Sequence, residues 1–258
     1  MKCRLCKSNT EELFQATILG KYSIKYYSCP DCNLLQTENP YWLEEAYNDS
    51  INDTDVGLLD RNIQFAEKIK VLIYYLFERN GKFLDYAGGY GIFTRLMRDI
   101  GFDFYWHDPY TENLFAKGFE YNRKESDIKL ITTFESFEHF VNPLEEIKKI
   151  VQISRNVIFS TTIIPNPIPM PKDWWYYGLE HGQHVSLYSK KTLKYIGKEL
   201  GLNFYSCSKN LHLFTEKNLN NFVFKTLFKK SKYFSKSVNK NMKSKTFIDS
   251  RMMLSGGR

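Results

Sequence analysis

Four of the five cysteines fall in two pairs, Cys3-x-x-Cys6 and Cys29-x-x-Cys32, with 22 residues between the pairs. Two residues between thiols place both sulfurs on one side of a tight turn, so two such turns close a tetrahedral site around a metal ion. Zn2+ prefers soft thiolate ligands and does no redox chemistry, and with all four positions supplied by protein the ion is structural. A disulfide framework is the weaker alternative where thiols are kept reduced. Cys207 stands alone and reads as a small buried hydrophobe.

A second chemistry belongs to Phe83-Leu84-Asp85-Tyr86-Ala87-Gly88-Gly89-Tyr90-Gly91, followed by the helical pattern Ile92, Phe93, Leu96, Met97, Ile100 that stops at Gly101. A strand, a glycine-rich turn and a helix let backbone N–H groups approach a ligand closely, because no Cβ intervenes. The next strand, Phe102 to Trp106, ends at His107-Asp108, so an acid stands 17 residues beyond Gly91. That is where the ribose hydroxyls of a nucleotide cofactor would be held. The G-x-G-x-x-G form of dinucleotide enzymes is missing, since Phe93 and Thr94 stand where a third glycine is expected. Plainer roles exist for both acids: Asp85 as a cap on the turn, Asp108 as an Asp-Pro turn residue.

For proton transfer the first candidate is His184, because imidazole titrates near neutrality and the residue lies in an aromatic segment suited to covering an acceptor. His139 comes next, then Glu138, Tyr177 and His181. An isolated histidine more often has a structural role, and a helix-orienting role suits His139 equally. The run Trp174-Trp175-Tyr176-Tyr177 reads either as core or as a stacking wall for a sugar or nucleotide ring. Pro165, Pro167, Pro169 and Pro171 stiffen the loop before it, which reads as a lid.

Elements must place these residues. Tyr22 to Tyr27 alternates as a strand, and Leu34-Leu35 opens a second; about forty residues bury too little apolar surface to fold unaided, so the metal supplies the missing stability. A polar stretch with Asn48, Asp49, Asn52, Asp53 and Asp55 leads to Ile63–Phe77, where Phe65, Ile69, Leu72 and Leu76 recur at helical spacing before Gly81 as the cap. Ile131-Thr132-Thr133 reads as a strand, Pro143 opens a helix through Ile150, and Val157 to Thr162 reads as a buried strand. A helix from the N-cap Ser189 to Gly201 precedes strands near Leu202–Ser206 and Leu211–Thr215. The order is that of an α/β, Rossmann-like fold.

The turn resembles the Asp-x-Gly-x-Gly-x-Gly motif of class I S-adenosylmethionine-dependent methyltransferases, with Asp85 at the acidic position and Gly89 and Gly91 at the second and third glycines. Ala87 replaces the first glycine, which is tolerable only if it keeps an ordinary φ. Phe134-Glu135-Ser136-Phe137-Glu138-His139 looks like the family's fourth-strand end and Glu-His signature. Trp174 to Gly178, Gly182-Gln183-His184-Val185 and Tyr188-Ser189 are similar to bacterial methyltransferases acting on sugars and other surface-polysaccharide precursors, which often start with a four-cysteine zinc module. The resemblance covers roughly Cys3 to Phe214. It implies a seven-stranded, mostly parallel sheet with an antiparallel last strand. Asp85 and the backbone of Ala87, Gly88, Gly89 and Gly91 would then cradle the cofactor's amino-acid end, with Asp108 on the ribose and Phe134 and Glu135 beside it. The predicted organisation is a zinc-ribbon-like module over 1–40, a helical linker over 41–80, the cofactor-binding domain over 81–216 and a basic tail or helix over 217–258.

The formal charge of +7 is unevenly spread. From Lys217 to Arg258 eleven Lys or Arg face one acid, Asp249, giving +10, so the rest sums to −3. Such a block usually reads as solvated or partly disordered, though Phe222, Val223, Phe224, Leu227 and Phe228 allow one amphipathic helix. Its sharper partners are an acidic membrane surface, contacted weakly, or a polyanionic substrate. A nucleic-acid methyltransferase is the competing enzyme class; against it, residues 1–40 carry five Lys or Arg and four acids, no positive patch for phosphates. A cofactor-binding scaffold without catalysis is the third class. With no apolar run near the roughly 20 residues that span a bilayer and no apolar signal segment, the sequence predicts a cytoplasmic protein, and the resemblance implies a small, nucleotide-linked acceptor. Oligomeric state is left open.

Overall fold

A computed structural model of the chain describes residues 1–47, 56–122 and 127–255. The polar stretch of Asn48, Asp49, Asn52, Asp53 and Asp55 lies outside them. The first elements are β1 (Glu11–Ile18), β2 (Tyr22–Ser28), β3 (Leu35–Thr37) and the single turn α1 (Leu43–Ala46). Then come α2 (Leu58–Leu76), β4 (Lys82–Tyr86), α3 (Ile92–Ile100), β5 (Asp103–His107), β6 (Ile128–Thr133), α4 (Pro143–Ile153) and β7 (Val157–Ser160). The chain closes with β8 (Ser186–Leu187), α5 (Lys190–Glu199), β9 (Asn203–Ser206), β10 (Leu211–Thr215), α6 (Asn221–Lys229), α7 (Ser231–Asn241) and α8 (Thr246–Leu254).

The main sheet has the strand order β5-β4-β6-β7-β10-β9. β4 runs parallel to both β5 and β6, and β10 pairs antiparallel with β9. Seven strands are expected and six are present among the described residues. Beyond β5, among the described residues, stands one parallel bridge, Trp106 with Glu120.

Two interleaved units compose the chain: 1–52, 135–152 and 159–216 form one, and 53–134, 153–158 and 217–258 the other. In the first, β1, β2 and β3 form an antiparallel sheet that β8 completes, with Leu35 opposite Leu187 and Gln36 opposite Ser186. The expected boundary after Pro40 therefore does not separate a self-standing module. Leu35, Gln36 and Thr37 are all buried, so β3 is covered on both faces. Tyr26, Leu35 and Trp42 share one apolar cluster with Tyr176, Tyr177, Val185 and Leu187, and Thr192 donates to the Cys32 carbonyl at 2.9 Å. Ser189 caps α5 in a reciprocal pair with Thr192, as its position predicts.

In the second unit the charge block is folded, against the solvated reading: α6, α7 and α8 bury Phe224, Leu227, Phe228 and Val238. The one acid of the block is its anchor. Asp249, 4% exposed, takes Arg98 at 2.8 Å through both oxygens and Arg95 at 2.9 Å. Among the described residues no helix is long and apolar enough to cross a membrane.

Candidate functional site

The turn after β4 is built from below by Asp85. Its carboxylate is 2% exposed and accepts from Thr132 at 2.9 Å and from Thr94 at 3.1 Å. Burial pushes its pKa up to about 7 against those two hydrogen bonds, with the nearby charge of Asp108 adding to the rise. Gly88 sits directly over this carboxylate: a Cβ there would meet Asp85 Oδ2 and Trp106 Cδ1 at 2.8 Å. Gly91, at φ 84°, opens α3, and a Cβ there would meet Asn113 Oδ1 at 2.7 Å. Asp108 braces the turn from the tip of β5: Oδ2 accepts from the Gly89 amide at 2.9 Å, and Oδ1 accepts from Tyr110 and Thr111 at 2.8 and 3.0 Å. The Trp106 indole donates to the Gly89 carbonyl at 2.8 Å.

Ala87 departs from expectation. Its φ is 56°, in the left-handed region, so it takes the conformation for which glycine is favoured and keeps a side chain there. Phe134, just past β6, packs tilted against Phe65 and edge-on against Phe93, with ring centroids 4.5 and 4.8 Å away.

A polar cluster gathers in the other unit. Glu138, His139 and His184 each offer one ligand atom, and these lie within 4.8 Å of one another. Glu138 is fully buried. His184 Nδ1 lies 2.7 Å from the Tyr176 carbonyl, which only accepts, so Nδ1 carries the proton and Nε2 presents a lone pair. His139 Nδ1 shares a hydrogen bond with the Tyr47 hydroxyl at 2.9 Å, and its ring stands perpendicular to that of His184 at 5.1 Å. Burial lowers the pKa of both imidazoles, helped at His139 by the charges of His184 and His181. Both rings are therefore neutral near pH 7 and able to accept a proton or a cation. Glu135, at φ 46°, holds its place through Ser160, whose hydroxyl accepts from the Glu135 amide at 2.7 Å and donates to Oε1 at 2.5 Å.

The four paired cysteines also meet. Cys3 and Cys32 sulfurs lie 3.6 Å apart, Cys6 and Cys29 sulfurs 3.4 Å, and all four lie within 4.8 Å of one another. A disulfide needs about 2.0 Å, whereas thiolates around one tetrahedral zinc stand about 3.8 Å apart. The two loops are the same turn used twice. Lys7 and Asn33, each just after its second cysteine, have φ of 65° and 57°. Each returns its amide to the first cysteine's carbonyl, at 3.0 and 2.9 Å. The amides of Leu5 and Cys6 bond the Cys3 sulfur, and those of Asp31 and Cys32 the Cys29 sulfur; such bonds favour a thiolate, but at Cys29 burial outweighs them and pushes the thiol up.

Residues 58–206, more than half of the chain, match the family model described as a methyltransferase domain. The chain belongs to the methyltransferase-domain family. No curated protein matches the chain. Solved structures similar to this methyltransferase domain include an O-methyltransferase family protein from Burkholderia thailandensis, with 14% identity, a TM-score of 0.49, and 69% of this chain and 64% of that one covered. TnmH gives 12% identity and a TM-score of 0.48, with 68% of this chain and 60% of that chain covered. Magnesium protoporphyrin IX methyltransferase from Synechocystis PCC 6803, with S-adenosylhomocysteine bound, gives 12% and 0.47, with 67% and 92% covered. The chain thus spans less than two thirds of the length of TnmH and of the Burkholderia protein.

Within the methyltransferase domain, the turn gathers Asp85, Ala87, Gly88, Gly89, Gly91 and Asp108, and the cluster gathers Glu138, His139 and His184. Tyr177 is in neither set: its hydroxyl donates to the Pro169 carbonyl at 2.8 Å and its ring packs on Phe14, Tyr26 and Trp174, which makes it core. Residues that sequence reasoning missed all act on others: Thr94 and Thr132 under Asp85, Tyr47 on His139, the Tyr176 carbonyl on His184, and Ser160 on Glu135. Their signal was spatial, since Tyr47 is 92 residues from the histidine it touches.

Proposed function

We propose that the protein transfers a methyl group from S-adenosylmethionine to a hydroxyl of a small molecule, of the class of nucleotide-linked sugars or other surface-polysaccharide precursors. The carrying observation is that two separate stretches bearing the resemblance, Glu138-His139 and the segment with Tyr176 and His184, converge on one cluster of proton-accepting groups.

The turn over Asp85 cradles the cofactor's amino-acid end. Asp108 holds the turn through Gly89, and its remaining lone pairs serve the ribose hydroxyls. Phe134 and Glu135, at the end of β6, flank the nucleoside. The reaction needs nucleophile, methyl carbon and sulfur in line, and a hydroxyl must lose its proton as it attacks. The cluster receives that hydroxyl and takes the proton, His184 Nε2 being the lone pair its tautomer leaves open. Zn2+ on the four cysteines is structural: protein fills every ligand position and no step of the reaction passes through it.

The test is the release of S-adenosylhomocysteine from zinc-loaded protein over a panel of nucleotide sugars, with mass detection of the methylated product. A nucleotide sugar gaining one methyl group supports the reading. Turnover confined to RNA or protein substrates would overturn it.

A further inference from the structure

The composition and dimensions of the Glu138, His139 and His184 cluster are those of a metal site. Bonds of about 2.1 Å place ligand atoms about 3 Å apart when adjacent and about 4.2 Å apart when opposite, so donor atoms within 4.8 Å of one another need only small shifts to share one ion. One carboxylate with two imidazoles is a borderline donor set. It suits Mn2+, Fe2+ or Co2+, whereas Mg2+ and Ca2+ favour all-oxygen shells. The surroundings orient the ligands as well. Nδ1 of His184 is committed to the Tyr176 carbonyl at 2.7 Å, which aims Nε2 away from it, and the Tyr47 hydroxyl lies 2.9 Å from Nδ1 of His139. Imidazoles that bind metals are usually fixed through their other ring nitrogen in this way.

We propose that Glu138, His139 and His184 bind one divalent first-row transition cation, distinct from the four-cysteine site, which takes the acceptor hydroxyl as a further ligand. This rests on the reading that the cluster receives the acceptor. With the His184 Nε2 lone pair held by the cation, the ring no longer takes the proton; coordination lowers the hydroxyl's pKa instead, and its proton passes to water. The oxygen lone pair then forms the O–C bond to the methyl group. The S–C bond breaks with its electron pair on sulfur, giving S-adenosylhomocysteine.

Mn2+ is the probe, because hard ions avoid thiolates and its electron paramagnetic resonance reports bound and free ion separately. Zinc-loaded full-length protein should bind one Mn2+ per chain, with nitrogen hyperfine coupling from imidazole in the wild type. His184→Ala and Glu138→Gln should each weaken this by about tenfold or more while S-adenosylhomocysteine still binds. No Mn2+ bound at high concentration, no nitrogen coupling, or binding indifferent to both substitutions would overturn the site. If methyl transfer persists in excess chelator and no Mn2+ binds, the metal is refuted and the methyltransferase reading stands. If Mn2+ binds with imidazole coupling and S-adenosylhomocysteine does not bind, the metal stands and that reading falls.

Discussion

Ala87 holds φ at 56°, a conformation that costs a residue with a Cβ of order 1 kcal/mol or more relative to glycine. Ala87→Gly should therefore stabilise the protein by about 1 kcal/mol, raising its unfolding midpoint by a few degrees in a thermal scan; a lowered midpoint would show that the methyl group is packed rather than tolerated. Asp85 gives a pH signature at the same turn. Its carboxyl moves from 3.8 to about 7 on folding, chiefly through burial. The folded state then keeps a proton that the unfolded chain releases, so stability contributed below about pH 4 is lost as pH rises to about 7. Asp85→Asn should flatten that decline and leave the protein more stable at alkaline pH by a few kcal/mol, measured by denaturant titration without cofactor at both ends of the window. An unchanged pH slope would mean that Asp85 stays ionised in its pocket.

At the scale of elements, α8 is held by one buried charge cluster. The Arg98 and Asp249 side chains are 5% and 6% exposed, so removing one partner strands the other out of water. Asp249→Ala should cost about 3 to 5 kcal/mol in denaturant unfolding, and a cost below about 1 kcal/mol would mark the pair as effectively solvated. The four-cysteine module makes a different prediction because β8 completes its sheet. Cys29→Ser should abolish zinc binding, and hydrogen exchange should then show lost protection at Ser186 and Leu187 as well as in β1 to β3. Loss confined to the first forty residues would contradict the shared core. These elements were unevenly legible. The strand-turn-helix at Leu84 to Ile100 and the capped helix after Ser189 follow from period and caps. The helix α2 begins at Leu58, five residues before its predicted start, because Leu59 and Asp60 are exposed and show no apolar period. The two-residue strand β8 had no signal at all, since its partner β3 is 151 positions earlier, counting Leu35 to Ser186.

For the whole molecule, local chemistry was readable and long-range support was not. The cysteine spacing and the Glu-His pair pointed to side chains that the fold brings together in two clusters. Tyr47, Thr94, Thr132 and Ser160 are common residue types whose roles exist only through the fold. The basic block left tail and helix open, because its charge speaks for solvation and only its apolar residues for packing; Asp249 and the buried Phe224, Leu227 and Phe228 fold it. If the turn over Asp85 holds S-adenosylmethionine, as proposed, it also takes the demethylated product, and calorimetric titration with S-adenosylhomocysteine measures that binding. One site per chain is expected, with affinity lost in Gly91→Val, whose Cβ would stand 2.7 Å from Asn113 Oδ1, and weakened about tenfold, about 1.4 kcal/mol, in Asp108→Ala. No heat and no thermal shift with either the sulfonium or its demethylated product would contradict it.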